Sequence, residues 1–323
     1  MQRTADIDAF LASTGLDIET HQVIAGDASN RRYFRVFMAD GTTAILMDAP
    51  PEKGEDTAPF LQIADHLSDC GLSAPKTFAK DTDKGLLLIE DFGDTLFDRH
   101  VLNHPNDEEK IYLQAWSALK RISITPAPDL PPYDSADMAD KAGLIADWYD
   151  PNLNRNTVVT AMQQALGALD WSHMTLALRD FHAQNLIWLP DRKGAAQVGL
   201  LDFQDAQPGH ILYDLVSLIY DARREVSPGV QNTLLKAAKS DTDLPDFDAA
   251  IATLLAQRSL RILGVFARLW LRDGKPSYLK LIPRVYGQLE IALIHPALTD
   301  VANALSKMER PTDEYLATLR AKR

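Results

Sequence analysis

The chain has 323 residues, of which 46% are hydrophobic, so it can bury a sizeable core, and its length fits two lobes better than one compact domain. Its formal net charge of -12 argues against a broad surface for the phosphate backbone of nucleic acids. The single cysteine, Cys70, excludes an intrachain disulfide, and neither an export signal nor a membrane-spanning stretch is recognisable, so we expect a soluble, cytoplasmic protein.

The first third of the sequence has the alternating pattern of β-strands. The runs HQVIAG, RRYFRVFMAD and GTTAILMDAP follow one another, and Asp40-Gly41 between the last two favours a tight hairpin turn. A helix is predicted at residues 59–69, and a last strand at residues 86–89. These elements predict a small antiparallel sheet with one helix.

Beyond Gly93 the hydrophobic periodicity becomes helical. Helices are predicted at residues 110–122, 138–148, 156–169, 212–224 and 247–270. The sequence therefore predicts an α+β fold with two lobes. Residues 1–92 form a sheet-bearing N-lobe with the hinge, residues 93–323 form a mainly helical C-lobe, and we expect a ligand cleft between them.

The stretch LALRDFHAQNLIWLPDRKGAAQVGLLDFQDA carries the most chemical information. The apolar runs LIWLP and VGLLDF flank the polar DRKGAAQ, a pattern typical of a β-hairpin. Asn185 precedes the first strand and Asp202 lies near the end of the second, so we expect their side chains to meet at the open end of the hairpin. An amide oxygen and a carboxylate suit a hard cation such as magnesium, which keeps waters and substrate phosphates as its other ligands.

Asp180 lies in the loop that leads into Asn185. Phosphoryl transfer requires a divalent ion near the phosphates and a separate carboxylate that orients the attacking hydroxyl and accepts its proton. Any one of these residues alone would usually cap or bracket a turn. The spacing D-x-x-x-x-N, the hairpin and LLDF, in this order, favour Asp180 as catalytic base with Asn185 and Asp202 as magnesium ligands.

These motifs resemble those of the kinase superfamily, in the branch of aminoglycoside phosphotransferases and choline kinases. RDFHAQN is similar to the D-x-H-x-x-N catalytic loop of that branch, LDFQDA to its metal-binding segment, and LLLIEDFG to the hinge. The resemblance implies a protein kinase-like fold and an ATP- and Mg²⁺-dependent kinase. It also implies that His182 holds the catalytic loop and that the hinge residues Glu90, Asp91 and Phe92 bind the purine through their backbone. Asp214, in LYDL, is expected to be a buried acceptor that ties the catalytic loop.

The sequence departs from this family at two places. The family usually has a histidine two residues before the catalytic aspartate, where this chain has Leu178. In the third strand, Met47 occupies the position of the phosphate-binding lysine, and the following helix offers only Asp56 and Asp65 in place of the partner glutamate. The absence of the lysine and the absence of its partner glutamate fit together, because without the lysine a buried glutamate would have no cation to pair with.

Another cation must therefore bind the phosphates. The segment GDASNRRYFR follows the first strand, at the position of the nucleotide-covering loop of the family. Gly26 and Ser29 leave backbone amides accessible, while Arg31 and Arg32 supply forked donors for phosphate oxygens. A polar turn with solvated arginines is the alternative reading.

The acceptor is suggested by similarity within the branch. The segments GDASNRRYFR, MDAPPE, LLDFQDAQPGHILYDL and FARLWLRDGKPSYL resemble those of bacterial anomeric kinases of cell-wall recycling. The resemblance implies transfer of phosphate from ATP to the anomeric hydroxyl of N-acetylmuramate or N-acetylglucosamine. Arginines 258, 261, 268 and 272 share one helix face that could bind a carboxylate or phosphate, although a solvated face is the alternative. The candidate acceptor residues are Asp205, Arg268, Arg272 and Trp148.

Three other functions remain open. A kinase of aminoglycosides or other small alcohols would use the same motifs, but a polycationic substrate needs a carboxylate cluster rather than a basic helix face. A nucleotide-binding pseudokinase would explain the missing lysine but not the intact Asp180, Asn185 and Asp202. A metal-dependent hydrolase built on His182, Asp202 and Asp205 is disfavoured, because one histidine makes a poor zinc site.

Overall fold

The computed structural model describes residues 2–24 and 30–322, and the chain divides into two compact units. The first unit comprises Met1–Ile122 and Gln184–Ala206, and the second comprises Ser123–Ala183 and Gln207–Arg323. The strands are β1 (Ile18–Ile24), β2 (Arg32–Met38), β3 (Thr43–Asp48), β4 (Thr77–Asp81), β5 (Leu86–Glu90), β6 (Met174–Ala177), β7 (Leu186–Trp188), β8 (Val198–Leu200) and β9 (Gln207–His210). The helices are α1 (Gln2–Ser13), α2 (Ala58–Asp69), α3 (Phe97–Asn103), α4 (Glu108–Ser123), α5 (Ser135–Ala142), α6 (Arg155–Gly167), α7 (Tyr213–Ile219), α8 (Pro228–Thr242), α9 (Phe247–Leu271), α10 (Ile282–Leu293), α11 (Thr299–Ala304) and α12 (Asp313–Ala321).

The first unit contains the predicted antiparallel sheet. Its five strands lie in the order β1-β2-β3-β5-β4, and all neighbouring strands run antiparallel. The predicted turn between β2 and β3 is present, and the Asp40 carboxylate accepts a hydrogen bond from the backbone N–H of Thr42 at 2.9 Å. Mixed α and β structure with this sheet confirms the predicted fold class.

The two faces of the sheet have different partners. Phe34 and Val36 of β2, with Ala44 and Leu46 of β3, pack against α1 in a buried apolar cluster. Because side chains alternate along a strand, Tyr33, Arg35, Ile45 and Met47 belong to the opposite face. A ligand that binds to the sheet therefore contacts the face that α1 does not cover.

The predicted hairpin is also present in the first unit. Strands β7 and β8 pair antiparallel, with Leu186 opposite Leu200. The pairing continues one residue further, because the backbone N–H of Leu201 donates to the carbonyl of Asn185 at 3.0 Å. This register brings the residues at the open end of the hairpin together.

In the second unit, the helices pack around α9, most of whose residues are buried. By length and composition α9 could cross a membrane, but 83% of its most apolar window is buried within the fold, as in the core helix of a globular unit. Strands β6 and β9 form a separate antiparallel pair in this unit, with Ala177 opposite Gln207. The catalytic-loop segment follows β6 directly.

The structure differs from the prediction at two helices. The helix predicted at residues 212–224 ends at Ile219, because the chain turns there and the Asp221 carboxylate accepts the backbone N–H of Arg223 at 2.7 Å. The helix predicted at residues 138–148 is divided into α5 and a wide helical turn, Ile145–Tyr149. The lobe boundary at residue 93 stays a prediction; the first compact unit continues through Ile122 and includes the β7–β8 hairpin.

Candidate active site

A cavity of about 390 Å³ lies within the first unit, on the sheet face opposite α1. Its apolar lining is formed by Ile24, Ile45, Ile89, Leu96, Ile187 and Leu201. The three predicted hinge residues Glu90, Asp91 and Phe92 line the same cavity. Apolar walls beside a short extended segment suit a flat aromatic base.

The side chains of the hinge residues already have partners. Arg192, in the β7–β8 loop, donates to the Glu90 carboxylate, and its guanidinium lies 4.9 Å from the centre of the Phe92 ring. Arg35 forms an ion pair with Asp91 at 2.6 Å. Since both carboxylates are engaged, the backbone is the part of the hinge that a base can contact.

Gly199 of β8 leaves the space that the Phe92 ring occupies. A Cβ atom at this position would lie 2.8 Å from a ring carbon of Phe92. A side chain here would therefore displace the hinge aromatic ring. The close approach of the Phe92 ring thus explains why a glycine occupies this position in VGLLDF.

The predicted metal pair converges at the open end of the hairpin. Asn185 Nδ2 lies 3.4 Å from Asp202 Oδ2, and both residues line the cavity. Gln204 Nε2 donates to the other Asp202 oxygen, Oδ1, at 2.7 Å and so fixes the carboxylate. Rotation of the Asn185 amide about its last bond exchanges its nitrogen and oxygen, so the same position can present an oxygen.

This donor set fits magnesium better than zinc. Within residues 2–24 and 30–322, no group of three or more His, Cys, Asp or Glu side chains is arranged to hold a metal. One carboxylate and one amide oxygen match the way Mg²⁺ binds with substrate phosphates and waters. Zinc would require additional nitrogen or sulfur ligands.

Phe203 anchors the segment that carries Asp202. The Phe203 ring is buried and stacks on Phe60 of α2, with centroids 5.0 Å apart. Asp205, two residues further on, is exposed. The metal segment is therefore fixed to α2 by an aromatic contact, and Asp205 points away from the core.

The catalytic loop is held in the second unit by Asp214. The buried Asp214 carboxylate accepts the backbone N–H groups of Leu178 at 2.5 Å and of Arg179 at 2.9 Å. Burial raises the pKa of Asp214 to about 7, although these two hydrogen bonds oppose the rise. The residue that precedes Asp180 is thereby fixed by its backbone.

The Asp180 carboxyl is surrounded by cations of the second unit. Burial opposes its ionisation, but the guanidinium groups of Arg261, Arg258 and Arg179 hold its pKa below the ordinary value. Asp180 is therefore ionised at neutral pH, which is the state that a proton acceptor requires.

His182 is a neutral loop residue. Burial, followed by the charge of Arg223, lowers its pKa to about 4. Arg223 Nη1 donates to His182 Nε2 at 3.0 Å, so this nitrogen carries no proton. The same turn ties the loop a second time, because Asp221 accepts the backbone N–H of Ala183 at 3.3 Å.

The four arginines of α9 lie in different surroundings. Arg258 is buried and donates to Ser217 Oγ at 2.7 Å, and Arg261 lies against the Tyr213 hydroxyl. Arg268 is partly exposed, with a buried Nε. Arg272 forms an ion pair with Asp273 at 2.6 Å, and its side chain is 57% exposed.

Trp148 lies in the wide turn Ile145–Tyr149 and is partly exposed. This turn packs against α9 in the second unit, where a Cβ atom on Gly264 would lie 2.4 Å from the Leu144 carbonyl. The chain just before this turn therefore packs closely on α9 at Gly264.

The predicted phosphate-binding residues are separated by the structure. Gly26 and Ser29 lie outside the described residues. Arg31 pairs with Glu55 at 2.8 Å, and its guanidinium also interacts with Tyr33, which lines the cavity. Arg32 instead pairs with the buried Asp48, which also binds Arg3 of α1.

Several of these partners had no recognisable signal in the sequence. Glu55 lies just before α2 rather than within it, Gln204 is two residues from Asp202, and Arg192 belongs to what reads as a polar turn. Arg223 lies beyond the observed end of α7. Each acts on a residue distant in sequence or through a turn whose geometry periodicity does not encode.

Comparison with known proteins identifies relatives. A model of the phosphotransferase enzyme family matches residues 20–252. The chain is 34% identical to the N-acetylmuramate/N-acetylglucosamine kinase of Caulobacter vibrioides, across 93% of this chain and 95% of the relative. It is 32% identical to the Pseudomonas aeruginosa protein of the same name, across 88% and 87%. The structure of a choline/ethanolamine kinase family protein from Mesorhizobium loti superposes with a TM-score of 0.65 at 14% identity, covering 99% of both chains, which confirms the predicted kinase-like fold.

Proposed function

The chain belongs to the phosphotransferase enzyme family, and from this premise we propose that it transfers the terminal phosphoryl group of ATP to the anomeric hydroxyl of N-acetylmuramate or N-acetylglucosamine. The observation that carries the chemistry is the convergence of Asn185 and Asp202 at 3.4 Å in a cavity lined by the hinge. The acceptor is supported by the names of relatives that align over nearly the whole chain.

The purine of ATP would occupy the apolar part of the cavity. Ile45 and Ile89 of the sheet and Leu201 after β8 supply the walls. The hinge backbone would bind the base edge, since the carboxylates of Glu90 and Asp91 are already in ion pairs. The phosphates would then extend toward Asn185 and Asp202, which line the same cavity.

Asn185 and Asp202 would hold Mg²⁺. When bound, the ion neutralises charge on the phosphate oxygens as the terminal phosphoryl group is transferred. The protein's own contribution is the fixed position of the Asp202 carboxylate, which Gln204 and the buried Phe203 maintain.

Arg31 would supply the phosphate-binding cation that Met47 cannot. It lies just before β2, and its guanidinium interacts with Tyr33, which lines the cavity. Its ion pair with Glu55 is shielded, with side-chain exposures of 14% and 12%. Arg32 belongs to the α1 face and binds Asp48, so we assign the phosphate contact to Arg31 alone.

Asp180 would accept the proton of the anomeric hydroxyl as that oxygen attacks the terminal phosphorus. Its ionised state is maintained by the surrounding arginines of the second unit. The backbone of the two preceding residues is held by Asp214, which fixes the chain that leads into Asp180. The products would be a sugar 1-phosphate and ADP.

An antibiotic kinase is the second candidate, because the family contains aminoglycoside kinases among its solved structures. A polycationic acceptor would have to approach Asp180 past Arg179, Arg258 and Arg261. Like charges repel the acceptor there, so an uncharged or anionic sugar fits better.

A cytoplasmic location accords with the buried free thiol of Cys70.

The test is a coupled assay of ADP release with ATP and magnesium. N-acetylmuramate, N-acetylglucosamine, choline and kanamycin are supplied separately to the wild-type chain and to Asp180→Asn. We expect turnover with the two sugars, and a loss of at least about a hundredfold in Asp180→Asn, which removes the base but keeps the shape. Equal rates for both chains, or turnover with kanamycin alone, would sink the proposal.

A further inference from the structure

The surroundings of Asp180 in the second unit carry more positive than negative charge. We call the guanidinium groups that interact with the catalytic loop the basic cluster; it consists of Arg179, Arg223, Arg258 and Arg261. The carboxylates that face it are those of Asp180, Asp214 and Asp221. Arginine stays charged under all ordinary conditions, whereas burial raises the pKa of Asp214 to about 7 and removes part of its negative charge. The cluster therefore has a positive excess.

Besides these carboxylates, the cluster contacts neutral hydrogen-bonding groups. Arg179 donates to the Gln207 amide oxygen at 2.9 Å, and Arg258 donates to the Ser217 hydroxyl at 2.7 Å. Arg261 lies against the hydroxyl of Tyr213. Buried charges in proteins are normally paired, so an excess of this kind indicates an anionic ligand.

Arg268 extends the same face of α9. At 100° per residue, Arg258, Arg261 and Arg268 fall within an arc of about 80°, and Arg268 lies about 10 Å along the axis from Arg261. Helical side chains lean toward the N-terminus of their helix, so the Arg268 side chain leans back toward Arg261. Its Nε is buried and has no hydrogen-bond partner in the part of the chain that the structure describes.

The neighbouring elements suit a sugar. Gly264 lies between Arg261 and Arg268 and allows α9 to contact the backbone of Leu144. The turn that follows Leu144 carries the partly exposed Trp148. Aromatic rings stack on sugar faces, while a guanidinium binds a carboxylate with two parallel hydrogen bonds.

We propose that Arg268 binds the carboxylate of an acidic acceptor sugar, and that it thereby distinguishes N-acetylmuramate from N-acetylglucosamine. The inference rests on the proposed function, since both sugars are acceptors there. The two differ in the carboxylate-bearing ether group that only N-acetylmuramate carries. The basic cluster beside Asp180 then meets the reacting end of the sugar, and Arg268 meets its acidic substituent.

The experiment measures kcat/KM for both sugars at saturating ATP. Arg268→Met removes the charge at nearly constant side-chain length. Arg268→Lys keeps the charge but loses the two parallel N–H donors of the guanidinium. Arg284→Met is the matched control, because Arg284 is an exposed arginine of α10 in the same unit. We expect Arg268→Met to lose about ten- to a hundredfold with N-acetylmuramate, through KM, and less than about threefold with N-acetylglucosamine. Arg268→Lys should recover part of the loss.

The outcomes separate the two proposals. Equal losses with both sugars, or an unchanged ratio of the two kcat/KM values, would overturn the role of Arg268 while the kinase activity stands. A change of the ratio in Arg284→Met equal to that in Arg268→Met would also overturn it. A wild-type chain that phosphorylates neither sugar would instead overturn the proposed function, and this inference with it. Unchanged ATP affinity in Arg268→Met, measured by calorimetry, is expected and excludes a general loss of folding.

Discussion

Two residues of the candidate site hold backbone conformations that side chains rarely adopt. Arg179 has φ of 72° and Asp202 has φ of 55°, both in the left-handed region. Such conformations cost on the order of 1–3 kcal/mol and persist only where the surroundings hold them. Asp214 holds Arg179 through its backbone N–H, and Gln204 holds the Asp202 side chain. The strain therefore lies next to Asp180, the proposed proton acceptor, and at Asp202, a proposed metal ligand.

The ionisation of Asp180 depends on Arg261. Among the cations that lower the pKa of Asp180, Arg261 has the largest effect. Removing that charge in Arg261→Met should raise the pKa of Asp180, so the acid limb of kcat/KM should move up by about one to two pH units. Arg261→Lys should keep the wild-type profile more closely. A pH profile that is unchanged in Arg261→Met, measured from pH 3 to 9, would contradict this assignment.

Asp214 should make the stability depend on pH. Because its folded pKa of about 7 exceeds the ordinary value, the native state binds a proton that the unfolded chain has already released. The free energy of unfolding should therefore fall as pH rises toward 7, by up to about 1 kcal/mol per pH unit. Asp214→Asn cannot titrate and should lose this slope. Urea unfolding of both chains at several pH values measures it, and identical slopes would refute the prediction.

At the scale of elements, strand β2 separates two arginines that are adjacent in sequence. Arg31 lies on the cavity side beside Tyr33, whereas Arg32 lies on the α1 side with Asp48. We expect Arg31→Met to weaken ATP binding by about tenfold or more, because a charged hydrogen bond to phosphate is lost, and to leave adenosine binding unchanged. Arg32→Met is the control and should affect stability rather than ATP affinity. Calorimetry with both ligands checks this, and the opposite order of effects would exclude Arg31.

The β7–β8 loop supports the hinge through Arg192. Its guanidinium binds Glu90 and covers the Phe92 ring, so Arg192→Met should loosen the segment that holds the base. We expect the Kd values of adenosine and of ATP to rise together by about two- to fivefold, in contrast to Arg31→Met. Lys193→Met changes the exposed neighbour and should leave both constants at their wild-type values. A rise for ATP alone would contradict a role in base binding.

Local patterns in the sequence predicted much of this architecture. The alternation of β2 and β3, the turn at Asp40 and the β7–β8 hairpin follow from periodicities of two and from turn residues. The hairpin also predicted the approach of Asn185 and Asp202. These features depend on residues that are close in sequence or opposite in one hairpin.

The remaining features depend on tertiary contacts. Helix α10 contains both Pro283 and Gly287, so its pattern is a poor helix signal, yet it packs against α9. The early end of α7 depends on Asp221, whose carboxylate binds Ala183 of the catalytic loop. The pairing of Arg31 with Glu55 joins a strand to the segment before α2. A single sequence carries no signal for such partners.

At the scale of the whole molecule, one local region has a charge opposite in sign to the net charge of the chain. The chain carries a net charge of -12, yet the second unit contains the basic cluster. Local positive charge in an acidic protein is the arrangement expected where anionic substrates bind. Both substrates of the proposed reaction, ATP and N-acetylmuramate, are anions.

The central claim is that phosphate is transferred to the anomeric oxygen. The most direct measurement is phosphorus NMR of the purified product formed from ATP and N-acetylmuramate. We expect the product of the wild-type chain to show a phosphomonoester resonance coupled to the anomeric proton of the sugar. This resonance should be absent with Asp180→Asn. A resonance coupled instead to the protons at carbon 6, or the same product from Asp180→Asn, would contradict it.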